Sequence, residues 1–264
     1  MSGFDLSGRV ALVTGACGGI GRALCHGLAR HGAAVVAVDH PSQDPAALAA
    51  ALADAGHRAV ALTGDLADPQ VPDRLVRAAL DAFGRVDVLV NNAGVNNKAP
   101  LGENVPEAWH EMLAVNVLAA FLLARAAAAA QRAAGLGLSV VNVSSVAGSS
   151  ALGRGNAGFG VSKAGLQELT RELAVEWASS GVRVNAVQPC QVDGPAFERL
   201  AETEDGRRLI AEMLRGIPIG RFAAPEELVG PVVFLASDAS SMVTGTVIPV
   251  DGGNLALNPG GTIG

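Results

Sequence analysis

Residues 10–39 read VALVTGACGGIGRALCHGLARHGAAVVAVD, and this segment decides the fold. It begins with an apolar run rich in β-branched residues at 10–14, continues with helical periodicity, and ends in a second apolar run at 35–39. Short apolar runs of this kind are typical of strands that are buried on both faces. Two such strands joined by a helix form a parallel βαβ unit, so the segment predicts the beginning of a parallel sheet.

The same alternation of strands and helices continues along the chain. Further strands are predicted at 59–64, 86–91, 138–144, 182–187 and 247–250. Helices are predicted at 20–31, 46–55, 71–83, 106–134, 160–179 and 225–236. Because right-handed crossovers place helices on both faces of a parallel sheet, and 264 residues do not require a second domain, the predicted fold class is α/β. The expected architecture is one Rossmann-type, doubly wound parallel sheet over residues 1–264.

Composition and charge exclude several classes of protein. Half of the residues are apolar and 17% are charged, which excludes a disordered chain. The net charge is -6 and there is no lysine or arginine stripe, so no nucleic-acid partner is predicted. The apolar stretch at 112–124 contains Asn116 and stops at Arg125, short of the ~20 residues that span a bilayer. We therefore expect a buried helix there and no membrane partner.

The three cysteines indicate a reducing compartment. Cys17, Cys25 and Cys190 are odd in number and show neither CxxC nor Cys/His spacing, so free thiols and no metal site are predicted. The first ten residues also lack a basic region followed by an apolar stretch, which is the pattern of a secretory signal. Both observations predict a cytoplasmic protein.

The glycine-rich turn TGACGGIG at 14–21 lies between the first strand and the first helix. Gly15, Gly19 and Gly21 let the backbone turn sharply and approach a pyrophosphate, whose charge is favoured by free N–H groups at the helix N-terminus beside Ile20. A glycine-rich turn without a ligand is the alternative. The order of strand, turn and helix favours a dinucleotide site.

Two acidic residues follow the next strands. Asp39 ends the second strand, where a carboxylate can accept hydrogen bonds from the adenosine ribose and would repel a 2′-phosphate. The next residue is His40 and not arginine, so NAD is predicted in preference to NADP. The alternative for Asp39 is a cap for the loop before Pro41. For Asp65, after the third strand, a role beside adenine and a role as a turn residue stay equally open.

Several separate motifs occur in the order found in one known family. They are TGACGGIG at 14–21, GDL at 64–66, NNAG at 91–94, Asn116, the serines at 144 and 145, Lys163, Pro189 and DGG at 251–253. In these motifs the chain resembles the short-chain dehydrogenase/reductase family over nearly its whole length. The resemblance implies a homo-oligomer, tetramer or dimer, built on the helices around 106–134 and 157–180, and a variable substrate lid at about 190–222. The implied cofactor contacts, together with the turn and Asp39, are Gly15, Gly19, Ile20, Gly21, Asp39, Asp65, Leu66, Asn92, Ala93, Gly94, Lys163, Pro189 and Val192.

The family's catalytic residues can be placed on this chain by the same resemblance. In the family a serine orients the substrate oxygen, a tyrosine exchanges the proton, and a lysine one turn later holds the nicotinamide ribose and lowers the tyrosine pKa. Ser145 matches the serine, with Ser144 as the alternative, and Lys163 matches the lysine. Asn116 is implied to shape a water-linked proton path to that lysine, and a satisfied core amide is the alternative reading.

The tyrosine position is occupied by Phe159, and the chain contains no tyrosine at all. A phenylalanine keeps the ring but has no proton to exchange, so we expect cofactor binding to persist while turnover falls by about 10²- to 10⁴-fold. Retention of Ser145, Lys163 and Asn116 favours a deliberate tyrosine-to-phenylalanine substitution. Natural divergence is the alternative, because Cys190 and Gly194 stand where the family often has glycine and threonine.

Polar loop residues indicate the substrate. Ser145, Asn97, Arg154 and Gln191 are the predicted substrate contacts, and they suit a small polar compound, with an anionic one open, better than a steroid or acyl chain. The alternative is that these are solvated loop residues. The leading hypothesis is an NAD-dependent enzyme that interconverts a secondary alcohol and a ketone. A catalytically silent NAD-binding regulatory or scaffolding protein and a 3-oxoacyl carrier-protein reductase remain as alternatives.

Overall fold

Seven parallel strands form one sheet in the computed structural model, which describes residues 3–99, 103 and 105–257. The glycine-rich tail at 258–264 lies outside the described residues. The strands are β1 (Val10–Thr14), β2 (Ala34–Asp39), β3 (Ala59–Thr63), β4 (Val88–Asn91), β5 (Leu138–Val143), β6 (Val182–Pro189) and β7 (Val247–Val250). Their order across the sheet is β3-β2-β1-β4-β5-β6-β7, and every neighbouring pair is parallel. The predicted α/β fold class with a doubly wound parallel sheet is confirmed.

Helices cover both faces of the sheet. They are α1 (Gly19–Arg30), α2 (Pro45–Asp54), α3 (Val71–Phe83), α4 (Pro106–Leu113), α5 (Ala119–Ala133), α6 (Ala157–Trp177), α7 (Pro195–Ala201), α8 (Glu204–Arg215) and α9 (Val229–Ala236). Residues of α1, α2 and α9 share one apolar core cluster, and residues of α3, α5 and α6 share the other. The two clusters therefore lie on opposite sides of the sheet.

Side-chain alternation along β1 explains why its whole run is apolar. Ala11 and Val13 belong to the cluster with α1, whereas Val10 and Leu12 belong to the cluster with α3 and α5. Successive side chains of a strand point to opposite faces, so a strand covered on both sides needs apolar residues at every position. This is the physical basis of the strand predictions.

Some predicted boundaries differ from the structure. The fourth strand was expected to begin at Val86 but begins at Val88, because the N–H of Val86 donates to the side chain of Gln131 at 3.4 Å and not to a neighbouring strand. The long helix expected at 106–134 is interrupted by a π-helical segment, Ala114–Leu118, between α4 and α5. Two helices, α7 and α8, occupy the region that was expected only as a variable lid.

The segment Pro106–Ala133 is long and apolar enough to cross a membrane by length and composition alone. The helical segment is therefore longer than the apolar stretch at 112–124 alone indicates. Half of its most apolar part is buried inside the protein, however, and core helices pass the same test. Leu123, Ala124 and Ala127 of α5 pack in the core cluster below the sheet.

The strand order reverses beside β1, which leads to β2 and β3 on one side and to β4 through β7 on the other. In open parallel sheets, ligands bind in the crevice at the carboxyl ends of the strands where the order reverses. The turn after β1 and the loops after β4, β5 and β6 meet at this edge. The fold therefore directs attention to residues that follow these four strands.

Candidate active site

The glycine turn after β1 is held against the end of β4 by hydrogen bonds. Thr14 Oγ1 accepts from the backbone N–H groups of Asn92 and Ala93, both at 3.1 Å, and Asn92 Nδ2 donates to the carbonyls of Thr14 and Gly15, both at 3.0 Å. Gly15 has φ +62°, and a Cβ there would lie 2.9 Å from the Cα of Ala93. A Cβ on Gly21 would collide with the carbonyl of Gly15. The turn therefore requires glycine at both positions.

A cavity of about 700 Å³ opens beside this turn. Among the described residues, no side chain caps the N-terminus of α1 and no acidic residue lies in its first turn, so the N–H groups there are available to an anion. The predicted cofactor residues that line this cavity are Gly15, Gly19, Ile20, Gly21, Asp39, Asp65, Leu66, Asn92, Ala93, Gly94 and Val192. Its size, its glycine cradle and its place beside a helix N-terminus fit a dinucleotide.

The two acidic residues of this cavity are anchored by backbone groups. The Asp39 carboxylate accepts from the N–H of Cys17 and from the N–H of His40, each at 2.7 Å. Asp65 Oδ1 accepts from the N–H of Ala67 at 2.9 Å, so it does shape a turn while it also lines the cavity. The two sequence-based alternatives for Asp65 are therefore compatible with each other.

A second cavity, also of about 700 Å³, adjoins the first. The two share wall residues, among them Ile20, Gly94 and Val192. The predicted site residues that line the second cavity are Ser145, Arg154, Phe159, Lys163, Pro189 and Gln191, and Asn92, Gly94 and Val192 line both. Pro189 and Lys163, which were expected at the cofactor, lie on the wall of the second cavity and not of the first.

Lys163 is 5% exposed at the base of the second cavity. Its Nζ donates to the carbonyl of Val143 at 2.8 Å and lies 5.7 Å from the centre of the Phe159 ring. Burial disfavours the charged ammonium and lowers the pKa of Lys163 to about 8. Positions 159 and 163 are one turn apart on α6, which is why both reach the same cavity.

Hydrogen bonds distinguish the two candidate serines. Ser144 is buried, donates to the carbonyl of Lys163 at 3.2 Å and accepts from Gln167 Nε2 at 3.0 Å. Ser145 Oγ accepts from the N–H of Ala147 at 3.1 Å, and the described residues offer its proton no acceptor. The hydroxyl proton that can be directed at a ligand is therefore that of Ser145.

Asn116 lies in the π-helical segment and is 1% exposed. Its Oδ1 accepts from the N–H of Val95 at 2.8 Å, while its Nδ2 donates to the carbonyl of Val95 and to Ser162 Oγ, both at 2.9 Å. The side chain lines neither cavity. In the structure it is a satisfied amide that fixes the start of the loop after Gly94.

The residues predicted to contact substrate do not all line the second cavity. Arg154 and Gln191 line the second cavity, but Asn97 lines neither, because its amide turns toward Glu111 Oε2 at 2.7 Å. Its neighbours Asn96 and Lys98 line the cavity in its place. Sequence reasoning missed the lid side chains that also line this cavity, which are Ala196, Phe197, Leu200, Leu209 and Met213. The signal that could have identified them is the pattern of apolar residues along α7 and α8, in the region that was expected to be a variable lid.

Comparison with known proteins shows similarity over nearly the whole chain, including the residues that line both cavities. A family model described as enoyl-(acyl carrier protein) reductase matches residues 15–254. Cis-4-hydroxycyclohexanecarboxylate dehydrogenase of Sinomonas cyclohexanicum is 43% identical over 251 residues, 94% of this chain and 97% of the relative. D-threitol dehydrogenase of Mycolicibacterium smegmatis is 40% identical over 252 residues, 95% of this chain and 94% of the relative.

Solved structures agree with this assignment. A gluconate 5-dehydrogenase from Burkholderia cenocepacia, in complex with NADP and tartrate, is 32% identical and superimposes with a TM-score of 0.89 over 97% of this chain and 98% of that chain. The glycine turn, the dinucleotide-sized cavity and the adjoining cavity with Ser145 and Lys163 lie within the matched region. The chain therefore belongs to the short-chain dehydrogenase/reductase family of NAD(P)-dependent oxidoreductases.

Proposed function

We propose that the protein interconverts a secondary alcohol and a ketone on a small, polar and anionic substrate, with NAD as its cofactor. The observation that carries this proposal is the second cavity, where Ser145, Lys163 and the Phe159 ring meet beside the cofactor-sized cavity. The relatives act, by their names, on a hydroxycyclohexane carboxylate, on threitol and on gluconate, which are all hydroxy compounds. The lid side of this cavity is apolar, but the polar side chains of Lys98, Arg154 and Gln191 on its wall favour a small polar substrate over a carrier-bound acyl chain.

The charges of the first cavity favour NAD over NADP. Four acidic residues and no lysine or arginine occur among the described residues that line it. The acids are Asp39, Asp65, Glu111 and Asp193. A 2′-phosphate would add negative charge without a cationic partner, whereas ribose hydroxyls could donate to the Asp39 carboxylate. The cofactor proposed here, NAD, therefore differs from the NADP in the related gluconate 5-dehydrogenase structure.

The proposed roles of the chain's own residues follow from their contacts. Bound NAD would supply the hydride acceptor, so that the alcohol would lose its carbinol hydrogen as hydride and its hydroxyl proton to solvent water. Ser145 donates its free proton to the substrate oxygen and fixes its direction. Lys163 would hold the ribose end of the cofactor, and its ammonium would place positive charge in the second cavity. The Phe159 ring would pack against both ligands but cannot take the proton.

The missing phenol predicts low turnover. A positioned acid or base typically contributes about 10²- to 10⁴-fold to the rate, so the protein should bind NAD well and react slowly. A catalytically silent NAD-binding protein with a regulatory or scaffolding role is the second candidate, and the identity of Phe159 is the observation that favours it. Restoring the phenol separates the two.

The deciding experiment compares the protein with Phe159→Tyr for NADH formation over a panel of polyols, sugar acids and hydroxy acids. We expect Phe159→Tyr to be faster by about 10²- to 10⁴-fold, with a similar Kd for NAD. Phe83→Tyr is the matched control, because it adds a phenol on α3, outside both cavities. Silence of Phe159→Tyr over the whole panel, with NAD still bound, would support the silent protein instead.

The proposal extends to the assembly and setting of the protein. We propose that residues 1–264 act as one domain, with a lid at about 190–222, and that the subunits form a tetramer or dimer. Exposed apolar side chains at Val105, Leu113, Leu118, Val161 and Val175 on the α4, α5 and α6 side support the oligomer. Three free thiols support a reducing, cytoplasmic setting.

A further inference from the structure

The second cavity is positively charged. Lys98 lies on the loop after β4, Arg154 on the loop before α6, and Lys163 at the base. No aspartate or glutamate occurs among the described residues that line this cavity, although acids are frequent in the adjoining one. Since Lys163 is committed to the reacting centre, Lys98 and Arg154 are the two cations left to meet another part of a ligand.

The backbone at Arg154 is in an unfavourable conformation. Its φ is +53°, the one positive φ of a non-glycine residue among those described, and it stands between Gly153 and Gly155, which also have positive φ. Asn156 Nδ2 donates to the carbonyls of Gly153 and Arg154, at 2.7 and 3.3 Å, and so holds this turn. Glycine would adopt the conformation more readily, so the strained backbone marks Arg154 as a candidate functional residue.

The two cationic loops are tied to each other. Asn96 Nδ2 donates to Asn156 Oδ1 at 3.0 Å, and the N–H of Ala99 donates to the carbonyl of Gly155 at 3.4 Å. These bonds flank Lys98 on one loop and adjoin Arg154 on the other. Lys98 and Arg154 therefore lie on two loops that are hydrogen-bonded to each other. This lowers the entropic cost of ordering the loops when a ligand binds.

An acceptor without a partner lies on the same cavity. Gln191 Oε1 is buried, and no described group donates to it. A buried acceptor is costly unless a donor reaches it, and the hydroxyl of a ligand is such a donor. The cavity thus offers cations for an anion, an acceptor for a hydroxyl, and the proton of Ser145 for the reacting oxygen.

We propose that Arg154 and Lys98 form a carboxylate-binding subsite, and that Gln191 accepts a hydrogen bond from a second hydroxyl of the same ligand. The ligand is then a small hydroxy acid with at least two hydroxyl groups, of the sugar-acid type. This inference rests on the proposed function, because the ligand is taken to be the substrate. A guanidinium and an ammonium bind a carboxylate through charge-assisted hydrogen bonds, which a neutral polyol cannot provide.

Tartrate and threitol test the subsite, because they share a four-carbon diol and differ only in their ends, carboxylates in one and CH₂OH groups in the other. Their Kd values are measured by titration calorimetry on the NAD-bound protein. We expect tartrate to bind more tightly, and Arg154→Gln or Lys98→Gln to weaken it by about tenfold while threitol is unchanged. Gln191→Met should weaken both ligands alike, because both carry the diol.

Arg77→Gln is the matched control, since it removes one positive charge from an exposed position on α3, outside both cavities. Equal binding of the two ligands, or equal effects of Arg154→Gln and Arg77→Gln on tartrate, would overturn the subsite. Failure of the dehydrogenase proposal has a different signature. In that case tartrate binding would still depend on Arg154 while Phe159→Tyr formed no NADH. If Phe159→Tyr oxidised only neutral polyols, the protein would be a dehydrogenase without the proposed carboxylate subsite.

Discussion

At the scale of single residues, the candidate site places the buried cation of Lys163 beside the ring of Phe159, which has no hydroxyl group to ionise. Lys163 keeps one hydrogen bond, to Val143, and faces the Phe159 ring where a phenolate would otherwise balance its charge. Folding therefore buries an ammonium without an anionic partner among the described residues. This desolvation is the cause of the lowered pKa of Lys163.

The stability of the cofactor-free protein should reflect this group. The folded pKa of about 8 lies below the unfolded value of 10.5, so between these pH values the unfolded state binds more protons and stability rises with pH. Below about pH 8 the folded protein carries the full cost of burying the Lys163 ammonium. We therefore expect the stability of Lys163→Met, relative to that of the parent protein, to be highest there. The advantage of Lys163→Met should shrink by up to about 3 kcal/mol from pH 7 to pH 10 in urea unfolding.

The contributions of other titrating groups cancel when the free energies of unfolding of the parent and of Lys163→Met are subtracted. Burial raises the pKa of Cys25 to about 12, so the folded state holds that proton longer and its contribution to stability falls above about pH 9. This term is common to the parent and to Lys163→Met. A difference that is constant with pH would contradict the buried ammonium.

At element scale two turns that carry glycine have opposite tolerance for a side chain. Gly194, at the start of α7, has extended backbone with φ 162°, and a Cβ there would meet nothing within 4 Å. Gly21, in the first turn of α1, has no such space, because a Cβ would collide with Gly15. One glycine is required by the turn and the other is not.

We expect Gly194→Thr to be tolerated and to improve the protein. Threonine is about as favourable as glycine at a helix N-cap, and in the family that the chain resembles a threonine here commonly helps to hold the nicotinamide carboxamide. The Kd for NAD should fall by about 3- to 10-fold with no loss of thermal stability, as measured by fluorescence titration and thermal unfolding. Gly21→Ala is the contrast and should lose NAD binding. Unchanged affinity in Gly194→Thr would remove the carboxamide role from this position.

The elements that sequence could predict are those whose signal is local. The strand β1 and the turn at Gly15 follow from two-sided burial and glycine chemistry, which are written in adjacent residues. The choice between Ser144 and Ser145 required Gln167, which is more than 20 residues away and joins them only in the fold. The direction of Asn97 depended on Glu111 on another element in the same way.

At the scale of the whole molecule, one side of the protein carries several exposed apolar side chains. Val161 and Val175 on α6 are 52% and 81% exposed and are almost four helical turns apart, and Leu118 between α4 and α5 is 45% exposed. Exposed apolar side chains along one helix face favour association. The proposed oligomer would cover them.

The prediction is that the parent protein is a tetramer or dimer and that Val175→Glu lowers its mass. A buried, unpaired carboxylate at an interface costs several kcal/mol, which is enough to dissociate subunits at micromolar concentration. Light scattering after size-exclusion chromatography gives the mass. Ala51→Glu, on the exposed side of α2, is the matched control and should not change it. A monomeric parent would refute the proposed assembly.

The short helix α7 forms part of the wall of both cavities, through Ala196 and Phe197. Phe197 also packs on Phe222 at 4.5 Å between ring centres, which ties the helix to the far end of the lid. A single displacement of α7 would then open both chambers together. Exchange of the dinucleotide and exchange of the substrate would therefore depend on the same movement of one short helix.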